Sequence, residues 1–541
     1  MVFVKLQKKN LFLIFILFVA AFLRLYQLGK TSLWFDEALT LITDNVLQKP
    51  WQALTQVTSL LSKQQPAALY VHRFLFYYWQ KIVGLDEFKL RVLAAVFGIL
   101  AVAGIYLLGK YLFNKKVGEY AALLLAFSPF HIYYSREVRQ YSLISLLSII
   151  CIYLVVKAIY SNKLKYWVLL VVCLIFNIYM HYIDVLLLIS NCILFMSIYK
   201  NYKKSIFNFI ISHLITLFML IPFFVVVTYF AVLAIYSWNT FNTQLSAYSL
   251  SIHIRNLFFT FKNFTLGYSI NLFSLLGIIS SVLFLGLFIF GLFRIKNLEK
   301  RIILLVYSVI PIFLVFFVSF YRVFYVDRHF IPFMSMYYLG IAYGIYSLKS
   351  KSRKLVLIII IIFLNIGVRG GYENILAKDQ EQRIAEVKKK DLRSLNKFLS
   401  ENYRRGDIIM HTCEDTTAPL VIYSRYANLN NREFQNEIEK CRLLNICEFN
   451  FKNIIGYFEW GENIYDYPDV FVPMDFQKID HSKNRIWLIY ANELINGKPN
   501  LFGNSQKILN MFHEDKRLKI ENIADFDGAL LLLCDWDINT R

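Results

Sequence analysis

The segment Ser32-Leu33-Trp34-Phe35-Asp36-Glu37-Ala38 sets two adjacent carboxylates just beyond the first long apolar run. A carboxylate held at a membrane surface, partly shielded from water, suits a general base that removes a proton from a hydroxyl. The same pair also suits the first turn of a helix, where acidic side chains meet the positive end of the dipole. Further on, Tyr134-Ser135-Arg136-Glu137-Val138-Arg139-Gln140-Tyr141 wedges two arginines and a glutamate between apolar segments. Charges in such a place are costly unless they are paired or face a wet cavity. Guanidinium binds phosphate through two parallel hydrogen bonds, so a phosphate at headgroup level is one match, and plain lipid-headgroup contact is the other. The stretch Tyr321 to Pro332 repeats the theme with Arg328, where Asp327 is suited to neutralise it and His329 reads first as an interface histidine. Tyr179-Met180-His181-Tyr182 puts a further histidine and two tyrosines at the end of another apolar run. Aromatic side chains can line a sugar site, but they also fill bilayer cores and interfaces.

These residues need a scaffold, and the composition indicates its kind. The 541 residues are 57% hydrophobic, 17% aromatic and 18% charged, with a mean hydropathy of +0.48. That is the profile of a chain that lives in a bilayer. Backbone amides in hydrocarbon must be satisfied locally, so the long apolar runs predict helices, about eleven of them. They fall near 11–28, 91–109, 119–135, 141–157, 166–181, 183–199, 205–230, 267–293, 302–320, 330–348 and 355–369. The net charge of +21 is concentrated in short basic clusters. They include Lys5 to Lys9, Lys110 to Lys116, Lys157 to Lys165, Lys200 to Lys204, Arg294 to Arg301 and Lys349 to Lys354. With an inside start they all fall on alternate loops, which places that side in the cytoplasm and explains the basic excess without a nucleic acid. This topology requires residues 68–84, with His72, Arg73, Gln80 and Lys81, to lie at the interface instead of crossing.

The carboxylates and arginines then share the opposite, outer face, which carries the long loop 29–90 and the short loops 136–140, 231–266 and 321–329. Residues 1–370 read as a transmembrane module. Residues 371–541 read as an extracytoplasmic α/β domain with helices over 391–402 and 506–512 and strands over 407–411, 454–457, 486–490 and 529–533. Cys151, Cys173 and Cys192 lie in apolar runs as packing residues. Cys413, Cys441, Cys447 and Cys534 permit two disulfides whose pairing spacing alone does not determine. No cysteine–histidine spacing of a zinc site is present, nor a Walker or dinucleotide fingerprint.

Taken in order, these motifs resemble the GT-C glycosyltransferases, in particular the group holding the protein O-mannosyltransferases and the lipid A aminoarabinose transferase. The resemblance covers about residues 10–348 and rests on several elements. These are Arg24 to Ala38 with its Leu-Trp-x-Asp-Glu-Ala, Pro66 to Tyr70, Arg91, the Ser-Arg-Glu-x-Arg-x-Tyr at 135–141, His181-Tyr182, and Arg328 to Pro332. It implies a polytopic α-helical fold with juxtamembrane helices in the first outer loop, in the plasma membrane. It also implies transfer of a hexosyl or pentosyl unit from a polyprenyl-phosphate donor to an extracytoplasmic protein, lipid or envelope glycan, by an inverting displacement. By motif position Asp36 is the expected base, with Glu37 beside it. Tyr70, Arg91, Arg136, Glu137, Arg139, Tyr141, His181, Tyr182 and Arg328 are the expected donor-phosphate or substrate-binding residues. Relatives often carry Pro-Pro or Lys-Pro in the second element, whereas this chain has Gln65-Pro66, so another cation must replace the usual lysine. Tyr141 stands where some relatives are acidic, which tells against a metal-assisted variant, so the resemblance implies no firm cofactor and leaves a divalent metal only as an option. A transporter or flippase of a lipid-linked anion is the alternative. Such proteins usually place their polar groups at the midplane between inverted repeats, not at one face.

Overall fold

The computed structural model describes residues 11–41, 71–225, 250–319, 325–373 and 389–402, together with 408–411, 419–420, 422–423, 486–491, 494–495, 498–499, 518–526 and 529–536. The chain forms two compact units. The first comprises Met1–Leu28, Pro66–Leu75 and Arg91–Gln380, and the second Gly29–Gln65, Phe76–Leu90 and Glu381–Arg541. The outer loop expected to accompany the membrane module therefore divides, and most of it groups with the C-terminal part of the chain.

In the first unit, six helices among the described residues are long and apolar enough to cross a membrane. They are Glu87–Leu112, Tyr141–Ser161, Tyr182–Asn201, Leu275–Arg294, Leu298–Val318 and Ser350–Tyr372, and Leu11–Leu25 and Leu164–Met180 are shorter apolar helices. Six is fewer than the expected eleven runs, for local reasons. The run at 119–135 breaks at Ser128, whose hydroxyl caps a second helix, Pro129–Tyr134, by accepting the His131 N–H at 3.1 Å, while Pro129 fits a first turn that needs no amide donor. The run at 330–348 yields the sixteen-residue helix Ile331–Tyr346, and the run at 205–230 leaves the described residues after 225. One expectation is corrected: residues 250–266, read as outer loop, form the helix Leu250–Leu266. Thr260, Lys262, Asn263 and Thr265 depress its hydropathy, yet all four are buried. The Lys262 ammonium donates to the carbonyls of Gly267 and Ile270 at 3.1 and 2.9 Å, so the cation caps its own helix end.

Buried Arg24 organises the break at Ser128. Its guanidinium donates to the carbonyls of Ala20, Leu125 and Ala126 at 3.1 to 3.2 Å and lies 2.8 Å from His131 Nδ1. His131 Nε2 reaches Ser145 Oγ at 3.1 Å, and Ser135 Oγ donates to the His131 carbonyl at 2.6 Å. The turn that carries Arg136 and Arg139 thus leaves from a fixed point.

In the second unit, Leu392–Asn402 is helical, with Asp391 accepting the Ser394 N–H at 3.2 Å as its cap. Strands form a sheet in the order Ile408–His411, Ile486–Ala491, Ala529–Trp536, Leu518–Phe526, parallel at the first pair and antiparallel elsewhere. Strand Leu518–Phe526 had no counterpart in the sequence reading, because Lys519, Glu521, Asn522 and Asp525 interrupt its apolar residues. The expected strand at 454–457, the helix at 506–512 and the side chains of the four C-terminal cysteines lie outside the described residues.

Helices Leu275–Arg294 and Ile331–Tyr346 cross where a Cβ on Gly344 would stand 2.2 Å from the Leu287 carbonyl oxygen and one on Gly291 2.2 Å from the Gly340 oxygen. Backbone cannot yield there as a side-chain tip can, so Gly344→Val is expected to destabilise the bundle by at least about 2 kcal/mol. The thermal midpoint in detergent checks this, and an unchanged midpoint would show the crossing to be looser than described.

Candidate active site

In the second unit the two carboxylates begin the helix Phe35–Leu41. Trp34 sits at its cap position, and Glu37, three residues on, accepts the Trp34 N–H through Oε2 at 3.4 Å, which is half of a capping box. Glu37 is fully buried and pairs with Lys389 at 3.3 Å. The Lys389 ammonium also lies over the Trp34 ring, 5.9 Å from its centroid. Asp36 is buried at the second helical position, and its carbonyl accepts the Thr40 hydroxyl at 3.0 Å. The two adjacent acids therefore occupy different settings: Glu37 is bound into the fold by a lysine 352 residues away.

The remaining described candidates all lie in the first unit, and the structure sorts them into two groups. Arg139 lies over the Tyr141 ring at 5.8 Å. The His181 ring lies 6.4 Å from Tyr141, stacks on Tyr182 at 4.8 Å and sits 5.1 Å from His329. Tyr141, His181, Arg328 and His329, with Ile144, Ile183, Ile331 and Pro332, line a narrow, closely packed hollow. Arg328 is held from behind: Asp327 accepts its backbone N–H at 3.0 Å, the Tyr268 hydroxyl at 3.3 Å and the Asn263 amide. Tyr268 in turn bonds Tyr134 at 2.8 Å. Asp327 thus serves as an anchor for the turn.

Arg136 and Arg91 form the other group. Arg136 donates to the Gln27 carbonyl at 3.0 Å and packs 4.5 Å from the Tyr372 ring centroid, while Arg91 donates to the Leu28 carbonyl at 3.0 Å. Burial, opposed by Tyr372, brings Arg136 down to about 10, which leaves it cationic at neutral pH. These two arginines hold the chain as it leaves the first helix. Glu137 is fully buried, and Tyr70 lies outside the described residues.

Sequence reasoning missed two participants. His72 lies close enough to Arg139, Arg73 and His181 to feel their charge, and His329 belongs to the hollow. The available signal was His72-Arg73 inside an otherwise aromatic amphipathic segment, now the helix Val71–Val83. At about 20 Å, that helix is shorter than the hydrocarbon core.

Burial, reinforced by His329, Arg139 and Arg328, holds the His181 imidazole well below its ordinary range. It therefore stays neutral and can donate a hydrogen bond without adding charge. Two arginines with a neutral imidazole at His181 and a tyrosine make a surface suited to an anion such as a phosphate monoester. Among the described residues, no group of three or more His, Cys, Asp or Glu is placed to hold a metal ion.

The comparisons agree with this architecture. Residues 64–229 match the family described as dolichyl-phosphate-mannose-protein mannosyltransferase. No curated protein matches the chain in sequence. Two solved structures of ArnT from Cupriavidus metallidurans are similar along nearly their whole length, each aligning over 97% of this chain and 98% of that one. The apo form matches at 9% identity with a TM-score of 0.54, and the form bound to undecaprenyl phosphate at 10% with a TM-score of 0.52. The chain is an integral membrane protein with the GT-C glycosyltransferase fold.

The depressed histidine carries a sign that can be measured. The unfolded chain takes up a proton at His181 near about pH 6.5 and the folded chain does not, so acidification through that window favours unfolding. Lowering the pH from about 7.5 to about 5.5 should cost wild type more thermal stability than the His181→Gln variant. Equal losses in the two would show that His181 is protonated in the fold.

Proposed function

We propose that this chain transfers a monosaccharide from a polyprenyl-phosphate carrier to an acceptor hydroxyl outside the cytoplasm, by inverting displacement at the anomeric carbon. The observation that carries the reading is the meeting of Tyr141, His181 and Arg328 around one hollow, with Arg139 over the Tyr141 ring and Tyr182 stacked on His181, in a protein of this fold. The undecaprenyl phosphate bound by the Cupriavidus ArnT supports a carrier of that class.

In this reading the acceptor oxygen attacks the anomeric carbon as its bond to the phosphate oxygen breaks. Asp36 takes the acceptor proton. The leaving polyprenyl phosphate gains negative charge, which Arg139 and Arg328 stabilise. His181 and Tyr141 offer neutral donors, and Tyr70 is assigned to the donor site by its motif position alone. His72 and Arg73 supply positive or polar character where relatives use lysine. Arg91, Arg136 and Glu137 fix the turns that carry these groups, and Glu37 holds the helix that carries Asp36. Residues 371–541 are assigned to the extracytoplasmic side. Acceptors of three kinds fit the scheme: a protein, a lipid or an envelope glycan.

Asp36→Asn should lower transfer by roughly two to four orders of magnitude with folded protein retained in the membrane. The check uses radiolabelled polyprenyl-phosphate sugars extracted from the host's own membranes, and turnover near wild type would remove Asp36 from the reaction. Arg139→Ala and Arg328→Ala should each weaken undecaprenyl phosphate binding by about tenfold or more, read by titration in detergent. Unaltered affinity in both variants would place the phosphate elsewhere.

A further inference from the structure

The second unit contains a clasp between two helix starts, of which the transfer scheme above uses only Glu37. Glu37, on the helix Phe35–Leu41, pairs with Lys389 at 3.3 Å. Ser32 donates to Asp391 Oδ1 at 3.0 Å and accepts the Arg393 N–H at 3.2 Å. The same Asp391 oxygen caps the helix Leu392–Asn402, so the two chain segments share one carboxylate. Arg393 pairs with Glu87 at 3.1 Å and Tyr423 donates to that same oxygen at 2.9 Å, while the Leu33 N–H donates to Tyr423 at 2.7 Å. Residues on both sides of Asp36 are thus fixed by a segment more than 350 positions later in the chain.

We propose that Lys389 is a positioning residue for the transfer reaction: its ammonium, held between Glu37 and the Trp34 ring, fixes the first turn of the Asp36 helix in its working orientation. The inference rests on Asp36 being the base. Its physical ground is the asymmetry of the pair. The Glu37 side chain is fully buried and the Lys389 side chain only 9% exposed, so neither charge can exchange its partner for bulk water. Glu37 accepts both the Lys389 ammonium and the Trp34 cap N–H through Oε2. Removing the ammonium leaves a buried carboxylate that must reorient toward water, and the turn bearing Asp36 moves with it. A misplacement of about 1 Å is enough to slow a positioned proton transfer by one to two orders of magnitude. Lys389 touches neither donor nor acceptor in this scheme, so its loss should affect turnover and leave donor recognition intact.

The test compares full-length Lys389→Gln, Lys389→Arg and the double variant Glu37→Gln/Lys389→Gln, with Asp36→Asn as reference. Turnover is measured with the radiolabelled carrier-linked sugars of the host membrane and expressed per undecaprenyl phosphate binding site, which removes any unfolded fraction. Lys389→Gln is expected to lower kcat about tenfold or more with donor KM within about twofold of wild type, and Lys389→Arg to restore most of the loss. Hydrogen exchange in a peptide spanning 33–41 should quicken in Lys389→Gln and not in Lys389→Arg. An inactive Asp36→Asn beside a fully active Lys389→Gln overturns the positioning role alone, while an active Asp36→Asn overturns the transfer reading and this inference with it. Should Lys389→Gln fail to fold, the double variant decides, because it leaves no orphaned charge: wild-type kcat there overturns the role, and lowered kcat with unchanged KM supports it.

Discussion

A single buried guanidinium governs the first unit. Arg24 lies within the apolar interior and spends its donors on three main-chain carbonyls and an imidazole. Two of those carbonyls, of Leu125 and Ala126, belong to the last turn of the helix Lys115–Phe127, where the helix supplies too few amide donors for its own carbonyls. The cation thereby makes a helix break tolerable at Ser128, and the break redirects the chain into Pro129–Tyr134 and the arginine-bearing turn. Gly98 is the counterpart of this arrangement, since a Cβ there would stand 2.3 Å from Ser135 Oγ and 3.0 Å from Arg24 Nε.

From that point the polar groups of the unit sort by task. Arg136 and Arg91 fasten the chain to the Gln27 and Leu28 carbonyls, while Arg139 turns toward Tyr141 and the histidines. Asp327 does comparable work for Arg328 by collecting the Asn263 amide, the Tyr268 hydroxyl and a main-chain N–H. Buried carboxylates that accept several donors hold backbone geometry in a way that a pair with one mobile cation does not. Rigid support of this kind is what an electrostatic site requires, since its donors must be aimed before charge develops.

The second unit solves a different problem. A segment carrying two acids follows the first apolar helix and must be kept in one conformation. Pairing with the start of a later helix does this through Lys389, Asp391 and Arg393. Asp391 illustrates the balance: burial raises its pKa, but bonds from Ser394 and Ser32 and the charge of Arg393 outweigh burial and bring it below the ordinary carboxylate range. Asp391 therefore keeps its charge to pH values below those at which an ordinary aspartate would lose it.

Much of this was legible in the residues. Unbroken apolar runs announced helices because hydrocarbon leaves the backbone no other choice. The residue types Arg139, His181 and Arg328 marked the places where charge in an apolar setting needed a reason. Local spacing could not say that Arg136, three residues from Arg139, would turn to a different task, nor that the polar helix Leu250–Leu266 would bury its lysine against its own carbonyls. It also could not separate Glu37 from Asp36, because adjacent carboxylates look alike until a partner 352 positions away chooses one of them. The sequence by itself determined that long apolar runs become helices and which side chain types could do chemistry, since both follow from local hydrogen bonding and solvation. Only the tertiary structure decided where those runs break and which polar side chains share a hollow or tie down the backbone, because that choice is made by partners distant in the chain.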